Sequence, residues 1–379
     1  MRFSDDQWSE KKLSDLFAPI RNGFVGIATP FYTTKEQGVR YLQSTNIHDG
    51  SIGDETCIYI TKDFHQAHIK NELKETDILM VQSGHSGECA VVGKKYAGCN
   101  CHALIIMSSL GLSDSRFVCD YLNGVGKAKT KILLTGNTVK HILASDVKDI
   151  RIMVPPIASQ KRISDFMSLL TQRIQVQNKI IEELISSEES IIDAVFSQQE
   201  NGVLSDFIDE TSNRNKGNEP LTVFSVSNKL GFIPQSEQFE EKEVASANKR
   251  NYKVVSPPSF AYNPARINVG SIGFYSGETP VIISPMYVCF RARNINPTIL
   301  TLFFKSKAFF KEMSSKLEGS VRQCLTFQGM KSIKLHVPSA EDTHWLAFAK
   351  TIREKRITEE KILQNYLAQK QFLLRNLFI

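Results

Sequence analysis

The sequence predicts an α+β fold in which two similar β-rich domains are each followed by one long helix, and we expect the two helices to pair as a coiled coil. Three observations predict this class. They are an internal repeat, short apolar segments separated by turn-forming residues, and two long tracts in which apolar residues have heptad spacing.

The length of the chain predicts more than one domain. Its 379 residues are about 2.5 times a typical domain of ~150 residues, so two or more hydrophobic cores are expected. A hydrophobic content of 41% and a charged content of 23% are ordinary for globular proteins and exclude a wholly disordered or collagen-like chain. The 46 basic and 40 acidic residues leave a net charge of +6, which is compatible with a polyanionic partner without requiring one.

The seven cysteines predict neither a disulfide framework nor a metal site. They are odd in number and contain no C-x-x-C pair, and Cys99-x-Cys101-His102 lacks a second pair of ligands, so we interpret that group as a buried strand edge. The first residues lack the basic and apolar regions of a secretory signal, and no segment approaches the ~20 apolar residues of a membrane span. We therefore expect a cytoplasmic protein with reduced thiols and no bound metal.

An internal repeat organises the chain. The segment Val147–Pro156 resembles Met330–Ser339, which lies 183 residues later, and the same offset pairs Gly87 with Gly270. Further upstream, a Leu-Ser-Asp segment recurs at an offset of 191, which indicates that the front parts of the two copies differ in length by eight residues. The chain is therefore predicted to contain two diverged copies of one unit.

Each copy begins with a β-rich region and ends with a helix. Short apolar segments such as Ile78–Val81 and Val281–Ile283 are separated by Gly, Pro, Asn and Asp, which is typical of strands joined by turns. A strand that ends at Pro155-Pro156 or at Pro338 then leads into a helical tract, and prolines mark both boundaries. The predicted segments are a first domain over residues 1–156, a central helix over 157–199, a second domain over 200–339 and a C-terminal helix over 340–379.

Both tracts show the three- and four-residue spacing of a heptad repeat. No proline or glycine interrupts residues 157–199, and a helix of about 40 residues is ~60 Å long, more than the face of one domain needs. The second tract follows Ser339-x-x-Asp342, which resembles a capping box. The alternative is two amphipathic helices that each lie on their own domain. The residues predicted to pair the helices are Ile163, Phe166, Leu170, Ile174, Ile180, Leu184, Ile191, Trp345, Phe348, Ile352, Ile362, Tyr366 and Leu373.

The sequence lacks the signature of an enzyme. Asn123–Lys129 resembles a phosphate-binding loop, but Tyr121 stands where the first glycine belongs and Ala128 replaces the metal-binding hydroxyl. Ser256–Ser259 and Asn263–Arg266 resemble the catalytic loop of amino-methyltransferases but lack its aromatic fourth residue. No G-x-S-x-G or H-E-x-x-H pattern occurs, and the eight histidines are dispersed. We therefore predict that the chain has no catalytic residues.

The architecture and its motifs resemble the DNA sequence-specificity subunit of type I restriction-modification systems over the whole chain. In the first copy the resemblance rests on the motifs Trp8–Leu16, Arg40–Ile47, Asp77–Gly84, Thr135–Lys140 and Ile152–Pro156. In the second copy it rests on Phe260–Gly273 and Gly319–Arg322. Each motif alone is weakly specific, whereas their order, twice in one chain, is strongly specific.

One pair of residues departs from the family pattern. Members usually have a Glu-Gln pair just after the proline strand, where this chain has Ser159-Gln160 in the first copy and Asp342-Thr343 in the second. The role of this pair at the start of each helix is therefore open at the level of the sequence.

The resemblance implies a function. Each β-rich unit would be a target-recognition domain for one half of a split, asymmetric site in double-stranded DNA, and the two helices, running antiparallel, would act as a ruler between the halves. Two methyltransferase subunits would bind the chain, and two restriction subunits would join them. No cofactor is expected in this chain, because S-adenosylmethionine would bind the methyltransferase, and ATP and magnesium would bind the restriction subunit.

Candidate DNA-binding residues follow from polar, turn-rich context, because bases are read by donor and acceptor side chains on loops and phosphates are bound by Lys and Arg. Each candidate could instead be an ordinary surface residue. Asn46 and Asn263 could instead stabilise their own turns by hydrogen bonds. In the first copy the candidates are Arg21, Asn22, Arg40, Gln43, Asn46, Ser83, His85, Lys127, Lys129, Asn137 and Lys140. In the second copy they are Asn213, Arg214, Lys216, Asn228, Lys249, Arg250, Tyr262, Asn263, Arg266, Lys316, Arg322 and Gln323.

Two other classes of protein compete with a specificity subunit. One is a standalone DNA-modifying enzyme with an unrecognised site, which would show turnover without partners. The other is a coiled-coil assembly protein whose β-rich domains bind protein, which would show no salt-sensitive binding to DNA.

Overall fold

The computed structural model divides the chain into two units, each of which combines one β-rich region with parts of both long helices. Unit 1 comprises Met1–Asn178 and Lys361–Ile379, and unit 2 comprises Lys179–Glu360. The structure describes residues 7–48, 50–54, 56–135, 140–228, 230–235, 249–319 and 323–378. In this division the helices belong to the units and are not bodies of their own. The boundaries predicted at residues 156, 199 and 339 stay a prediction.

Unit 1 contains twelve strands among its described residues, together with α1 to α6. The strands are β1 (Ser9–Lys12), β2 (Phe17–Asn22), β3 (Tyr32–Thr33), β4 (Gly38–Leu42), β5 (Ile47–His48), β6 (Ser51–Ile52), β7 (Ile58–Thr61), β8 (Ile78–Val81), β9 (Cys89–Val91), β10 (Asn100–Cys101), β11 (Leu104–Ser109) and β12 (Arg151–Val154). The helices are α1 (Leu13–Leu16), α2 (Lys62–Ala67), α3 (Ser115–Asn123), α4 (Lys127–Ile132), α5 (Ala144–Val147) and α6 (Ile157–Phe196), of which α6 continues into unit 2.

Unit 2 contains the remaining described elements. Its strands are β13 (Gly202–Val203), β14 (Ile208–Thr211), β15 (Val223–Ser227), β16 (Gly231–Pro234), β17 (Lys253–Val255), β18 (Ser259–Tyr262), β19 (Ile272–Tyr275), β20 (Val281–Ile283), β21 (Val288–Ala292) and β22 (Lys334–Leu335). Its helices are α7 (Pro297–Phe303), α8 (Lys307–Ser314), α9 (Phe327–Lys331) and α10 (Ala340–Asn376), of which α10 continues into unit 1.

The two units share one topology. Unit 1 has an antiparallel sheet in the order β2-β11-β8-β9, and unit 2 has the matching sheet β14-β21-β18-β19. Each unit also has a second four-stranded sheet that contains one parallel pair, β10 with β4 in unit 1 and β15 with β20 in unit 2. A short antiparallel ribbon, β1-β12 or β13-β22, leads into the long helix of each copy. The α+β class and the internal repeat are therefore confirmed.

The front part of the second copy is eight residues shorter than that of the first, with 66 residues from Leu204 to Gly270 against 74 from Leu13 to Gly87, and differences of both signs contribute to this net value. Unit 1 places the hairpin β5-β6 between the paired strands β4 and β7, whereas in unit 2 the equivalent strands β15 and β16 are joined by residues 228–230 alone. Unit 2 instead adds β17, which pairs with β20 at the edge of the sheet. A sequence offset reports only the sum of such changes, so it cannot separate a lost hairpin from a longer insertion.

Within each unit, the parts of α6 and α10 run antiparallel. In unit 2, Gln198 donates to Asp342 (Nε2 to Oδ1, 2.7 Å), and ten residues earlier on α6 Glu188 pairs with Arg353, eleven residues later on α10. In unit 1, Phe378 packs into the core that holds Ile163 and Met167 of α6.

The buried seam of α6 lies one position away from several predicted residues. Ile163, Leu170 and Ile174 are buried as predicted, but Phe166 is 46% exposed and Met167 is buried in its place. The pattern alone cannot choose between adjacent apolar residues, whereas a buried seam must keep an average spacing of 3.5 residues. The buried positions are Ile163, Met167, Leu170, Ile174, Gln177, Ile181, Glu188, Ile192 and Val195, while the predicted Ile180, Leu184 and Ile191 are half-buried.

The same error of one position occurs on α10. Trp345 and Phe348 are 48% and 49% exposed, and Leu346 and Ala349 are buried beside them. The predicted Trp345 and Phe348 are therefore wrong as seam residues, because the helix turns its smaller neighbours toward the core of unit 2. The predicted Ile352, Ile362, Tyr366 and Leu373 are half-buried.

Polar side chains anchor the start of each long helix. In the first copy Gln160 is buried, donates to the carbonyl of Pro155 (2.8 Å) and accepts from the backbone amide of Asp114 (2.9 Å), which joins α6 to the start of α3. In the second copy Asp342 accepts hydrogen bonds from Ser339, His336 and Gln198, and these hold the pKa of its carboxyl well below the usual value. The pair that departs from the family pattern thus still has an anchoring role, with different side chains.

Two further observations concern the described residues. All seven cysteines are free thiols, and Cys99 and Cys101 are buried, with Cys101 on β10. No helix in the described ranges is both long enough and apolar enough to cross a lipid bilayer.

Candidate nucleic-acid interface

Each unit brings together two loops by the same hydrogen bonds, and we call them the paired loops. Their described residues are 82–88, 135 and 140–142 in unit 1, and 263–271, 318–319 and 323–325 in unit 2. The amide of Ile142 donates to the carbonyl of Gln82 at 3.0 Å, and the amide of Leu325 donates to the carbonyl of Pro264 at 3.1 Å. Within the second loop of each pair, Thr135 pairs with His141 and Glu318 with Cys324. The repeat therefore builds one loop platform twice.

A glycine in each first loop has a conformation that other residues rarely adopt. Gly87 and Gly270, which the repeat pairs in the sequence, have φ values of 88° and 86°. A Cβ atom on Gly87 would also lie 2.8 Å from the hydroxyl of Thr130 on α4. The glycine therefore allows both the turn and the close approach of α4 to the loop.

In unit 1 the paired loops carry several predicted residues. Ser83 is half-buried, and His85 and Lys140 are exposed. Lys127 is exposed at the start of α4, which packs against this loop at Gly87. Ser83, His85, Lys127 and Lys140 are therefore brought together at one end of unit 1.

The lysines of α4 divide into two groups. Lys129 donates to the carbonyl of Arg151 (2.5 Å) and to the hydroxyl of Tyr121 (3.2 Å), so the fold already uses its ammonium group. Lys127 and Lys131 are exposed and four residues apart, which places them on one face of the helix. Sequence reasoning missed Lys131, although its spacing from Lys127 within a basic helical segment was a usable signal.

Three predicted residues of the first copy are held inside the fold. Arg21 donates to the carbonyl of Lys70 (2.9 Å) and to Ser108 (2.7 Å). Arg40 donates to the carbonyl of Thr56 (3.0 Å) and pairs with Asp54, and its Nη1 is buried. Asn46 is 1% exposed.

Asn46 is wrong as a DNA-contacting residue. Its amide group donates to the carbonyls of Gly53 and Thr56 (3.3 and 2.8 Å), and its carbonyl accepts from the amide of Gln43 (2.9 Å). The turn therefore uses both the donor and the acceptor that base readout would need.

The remaining candidates of this region are accessible. Asn22 is exposed at the end of β2, and Gln43 is half-buried and donates to the hydroxyl of Tyr32 at 3.0 Å. Asp54 lies beside Arg40, and a hydrogen bond from Lys95 holds the pKa of its carboxyl below the usual value. This carboxylate offsets the charge of both cations, so they attract phosphate less than their number suggests.

Unit 2 contains a basic cluster that the sequence predicted in parts. The segments 213–218 and 249–254 pair through the backbone, with hydrogen bonds from Val254 to Asn213 (2.7 Å) and from Asn215 to Tyr252 (2.9 Å). The predicted Asn213 is exposed here. We define the basic cluster as the five cations of these paired segments, Arg214, Lys216, Lys249, Arg250 and Lys253.

The cluster presents most of its cations to solvent. Arg214, Lys216 and Arg250 are exposed and Lys249 is half-buried. Lys253 is half-buried and its ammonium group donates to the carbonyl of Tyr287 at 2.7 Å, and Nη1 of the exposed Arg214 donates to the carbonyl of Asn251 at 3.5 Å. Five cations on two short segments create a local positive potential of the kind that binds a phosphate backbone.

Two other predictions in unit 2 are wrong because the side chains are buried. Tyr262 is fully buried, donates to the carbonyl of Leu325 (3.1 Å), and burial raises the pKa of its hydroxyl. Asn263 is buried, and its carbonyl accepts from the amide of Ala265 (3.0 Å), so it holds its own turn. Both support the paired loops without facing solvent.

The remaining predicted residues of unit 2 are accessible to different degrees. Arg266 and Gln323 are exposed on the paired loops, and Lys316 is half-buried shortly before the second of them. Asn228 is exposed between β15 and β16. Asn137 and Arg322 lie outside the described residues.

The fold built from these two units is that of a known class of protein. A type I restriction-modification system S subunit from M. genitalium matches with a TM-score of 0.58 at 14% identity, over 100% of this chain and 98% of that chain. A chain from a structure on complex assembly and conformational transition of the type I R-M system matches with a TM-score of 0.58 at 15% identity, over 99% of each chain. No curated protein matches the sequence. At 14% and 15% sequence identity, these matches show that the chain shares the fold of the two proteins.

A family model matches most of the first copy. The family described as the Type I restriction modification DNA specificity domain matches residues 5–186, which is slightly less than half of the chain. The resemblance to type I specificity subunits is thereby confirmed, and the match supports a role in DNA recognition.

Proposed function

We propose that this chain directs a type I restriction-modification complex to a bipartite, asymmetric DNA site, with each unit reading one half. The observation that carries the proposal is the pair of equivalent loop platforms with different side chains. Unit 1 offers Ser83 and Lys140 on its paired loops, and unit 2 offers Arg266 and Gln323. A shared backbone with different donors and acceptors suits two half-sites of different sequence.

Cations near the platforms supply the contacts to phosphate in this proposal. In unit 1 these are Lys127 and Lys131 of α4, and in unit 2 they are the exposed members of the basic cluster. Contacts to phosphate position the protein and do not depend on sequence, so they should be separable by mutation from the contacts to bases.

The long helices have two roles in the proposal: they set the spacer between the half-sites, and they bind the methyltransferase subunits. Each helix begins in one unit and ends in the other, which suits the first role. Both carry large apolar side chains in solvent, which is typical of a surface that binds protein. These side chains are Phe166, Leu169, Val176 and Phe372 in unit 1, and Ile185, Trp345, Phe348 and Ile357 in unit 2.

The chemistry belongs to the partners in this proposal. Two methyltransferase subunits would bind S-adenosylmethionine, and two restriction subunits would bind ATP and magnesium. The chain would act in the cytoplasm, where it meets DNA.

The test of the half-site assignment is a methylome. The full chain is expressed with its methyltransferase partner in a host that lacks both, and long-read sequencing then identifies the methylated motif. We expect one split motif, and we expect the double variant Ser83→Ala/Lys140→Ala to relax one half while Arg266→Ala/Gln323→Ala relaxes the other. Methylation without a split motif, or one half-site that changes in both double variants, would contradict the proposal.

The basic cluster has its own test, which measures how the binding of duplex DNA by the reconstituted complex depends on salt. Each lost phosphate contact should lower the slope of log K against log salt by ~0.9, so Arg214→Ala/Arg250→Ala should lower it by about 2. Lys311→Ala removes an exposed cation of α8 outside the cluster and should leave the slope unchanged. Binding that is insensitive to salt would favour the coiled-coil assembly protein, and turnover by the chain alone would favour the standalone enzyme.

A further inference from the structure

Three side chains with metal-binding groups meet in unit 1. His48 ends β5 in the hairpin β5-β6, and His85 and Glu88 lie in the loop between β8 and β9. One nitrogen or oxygen atom from each of the three lies within 4.8 Å of the other two. The imidazole rings are nearly parallel, with 5.2 Å between their centroids. A carboxylate oxygen of Glu88 lies 3.7 Å from Nε2 of His85, which places the carboxylate beside this ring, although Nε2 itself is not the nitrogen that would bind a metal.

Hydrogen bonds hold both imidazole rings in a state that suits metal binding. Nε2 of His48 lies 2.8 Å from the carbonyl oxygen of Thr45, and Nε2 of His85 lies 3.0 Å from the carbonyl oxygen of Ile47. A carbonyl oxygen only accepts, so each Nε2 carries the hydrogen and Nδ1 of a neutral ring keeps its lone pair. Histidines that bind metals are commonly oriented by this kind of bond to a backbone carbonyl.

We propose that His48, His85 and Glu88 bind one divalent cation of the zinc class, with water completing the coordination. Two imidazoles and one carboxylate form a nitrogen and oxygen ligand set, which suits zinc and its neighbours in the first transition row better than magnesium or calcium. The His48 and His85 rings are exposed and Glu88 is half-buried, so an ion can reach the cluster from solvent.

Among the residues that the structure describes, this cluster occurs in unit 1 alone. The hairpin that carries His48 has no counterpart between β15 and β16, where residues 228–230 make the connection. At the offset of 183 residues, Asn268 and Ser271 stand in place of His85 and Glu88. Sequence reasoning missed the cluster because His48 is far from the other two residues in the chain and no short motif joins them.

The cation would join the hairpin β5-β6 to the first of the paired loops. This consequence rests on the proposed function, because that loop also carries Ser83, a candidate for reading bases. His85 then acts as a positioning residue that holds the loop, and does not contact DNA itself. Such a clamp would give the half-site read by unit 1, and not the other, a dependence on metal.

The first experiment measures the metal directly and does not depend on DNA. The full chain, without a histidine tag and stripped by chelation, is titrated with Zn²⁺ by calorimetry and with Co²⁺ by visible absorption. We expect one equivalent to bind, and we expect His48→Gln and Glu88→Gln each to weaken binding at least about tenfold. His344→Gln, which changes an exposed histidine of α10, should bind like the unchanged chain. The absence of saturable binding at one equivalent, or equal affinity in His48→Gln, would overturn the site.

The second experiment separates the site from its role. The reconstituted complex is assayed for binding to duplexes altered in either half-site, with and without Zn²⁺. We expect metal removal and His48→Gln to relax discrimination at the half-site of unit 1 only. If Zn²⁺ binds but discrimination is unchanged, the positioning role is wrong while the site stands. If neither half-site is recognised by the metal-loaded complex, it is the proposed function that fails.

Discussion

At the scale of single residues, the fold sorts similar polar side chains into those it uses and those it presents. Asn46 and Asn263 have the donor and acceptor groups of a base-reading residue. Asn46 uses both for backbone groups of its own turn, and Asn263 accepts from its own turn and donates to the sulfur of Met286. Lys129 and Lys131 have the same side chain, but the ammonium group of Lys129 already donates to a carbonyl and a hydroxyl. Residue type therefore identifies what a side chain is able to bind, and its local partners decide whether it remains available.

One carboxylate in unit 2 neutralises two arginines. Glu188 is 7% exposed and accepts from Nε of Arg353 at 2.5 Å, and its other oxygen lies 3.7 Å from Nε of Arg356. Burial lowers the pKa of the nearby Lys305, and the charges of Arg353 and Arg356 add to this effect. Because the cations outnumber this carboxylate, its loss should be costly.

We expect Glu188→Gln to lower the free energy of unfolding by roughly 3 kcal/mol, because it removes the carboxylate that pairs with the partly buried Arg353, whereas Arg356 keeps its ion pair with Glu360 at 2.7 Å. The neighbouring Glu189→Gln removes the same charge from an exposed position and should cost much less. Urea denaturation of the two variants and the unchanged chain measures the difference. Equal stability of the two variants would show that the ion cluster contributes nothing.

Asp120 on α3 should make stability depend on pH. Burial raises the pKa of Asp120 to about 7, although Lys370 favours the carboxylate. An unfolded aspartate has a pKa of about 4. The contribution of Asp120 to stability is therefore complete below about pH 4 and is lost as the pH rises from about 4 to about 7.

Asp120→Asn removes this ionisation and should therefore stabilise the chain more at pH 8 than at pH 5. The midpoint of urea unfolding, measured at both values for the variant and the unchanged chain, gives the difference. Asp165→Asn, which changes an exposed carboxyl of α6, should not show the extra gain at pH 8. A gain that is the same at both values would contradict the shifted pKa.

At the scale of elements, the important question for each long helix is which of its apolar residues are buried. The presence of an apolar stripe does not answer that question. Heptad spacing predicts a helix with one buried seam, and α6 has such a seam. The stripe is wide enough that Phe166 and Met167 both fit the pattern, and only contact with the core of unit 1 selects Met167. The exposed neighbours are then available for other proteins, which is why an error of one position matters for function.

The neighbouring pair on α6 tests this assignment. Met167→Ala should lower the free energy of unfolding by about 2 to 4 kcal/mol, because it leaves a cavity at a side chain that is 1% exposed. Phe166→Ala should cost less than about 1 kcal/mol, because that ring is 46% exposed. Thermal or urea unfolding distinguishes the two variants. If Phe166→Ala costs more stability than Met167→Ala, the seam residue predicted from the sequence is the correct one.

The Phe166 variant has a second use. If the exposed apolar side chains bind the methyltransferase, Phe166→Ala should weaken assembly of the complex while the chain remains stable. Met167→Ala should act on stability first. Binding measured with the purified partner subunit, at a temperature where both variants are folded, separates these effects.

At the scale of the whole molecule, one chain contains two similar units, and both long helices run from one unit into the other. The boundaries of the units cross α6 after Asn178 and α10 after Glu360. Insertions at these two positions lengthen both helices without changing the contacts inside either unit. The chain therefore offers a direct test of the proposed ruler.

We expect one added heptad at each boundary to lengthen the spacer by about three base pairs, because seven helical residues span ~10 Å and one base pair rises ~3.4 Å. Both half-sites should keep their sequences. Methylome sequencing of the complex measures the motif, and the same residues appended after Ile379 are the control. An unchanged spacer in a complex that still methylates both half-sites would contradict the ruler.

Features that depend on local pattern could be predicted from the amino-acid order. The repeat predicted two similar units, turn residues between apolar segments predicted strands, and heptad spacing predicted both long helices, because propensity and periodicity act over a few turns of chain. The motifs that resemble type I specificity subunits were also visible in the sequence.

Only the tertiary structure decided which of two adjacent apolar residues is buried, which polar groups are already bonded, and which distant residues meet. Burial of Met167, the bonds of Asn46, and the meeting of His48 with His85 all depend on contacts between segments far apart in the chain. Such contacts leave no periodic trace in the sequence. The sequence therefore determined the class of protein and its architecture, and the folded structure decided which side chains are free to bind.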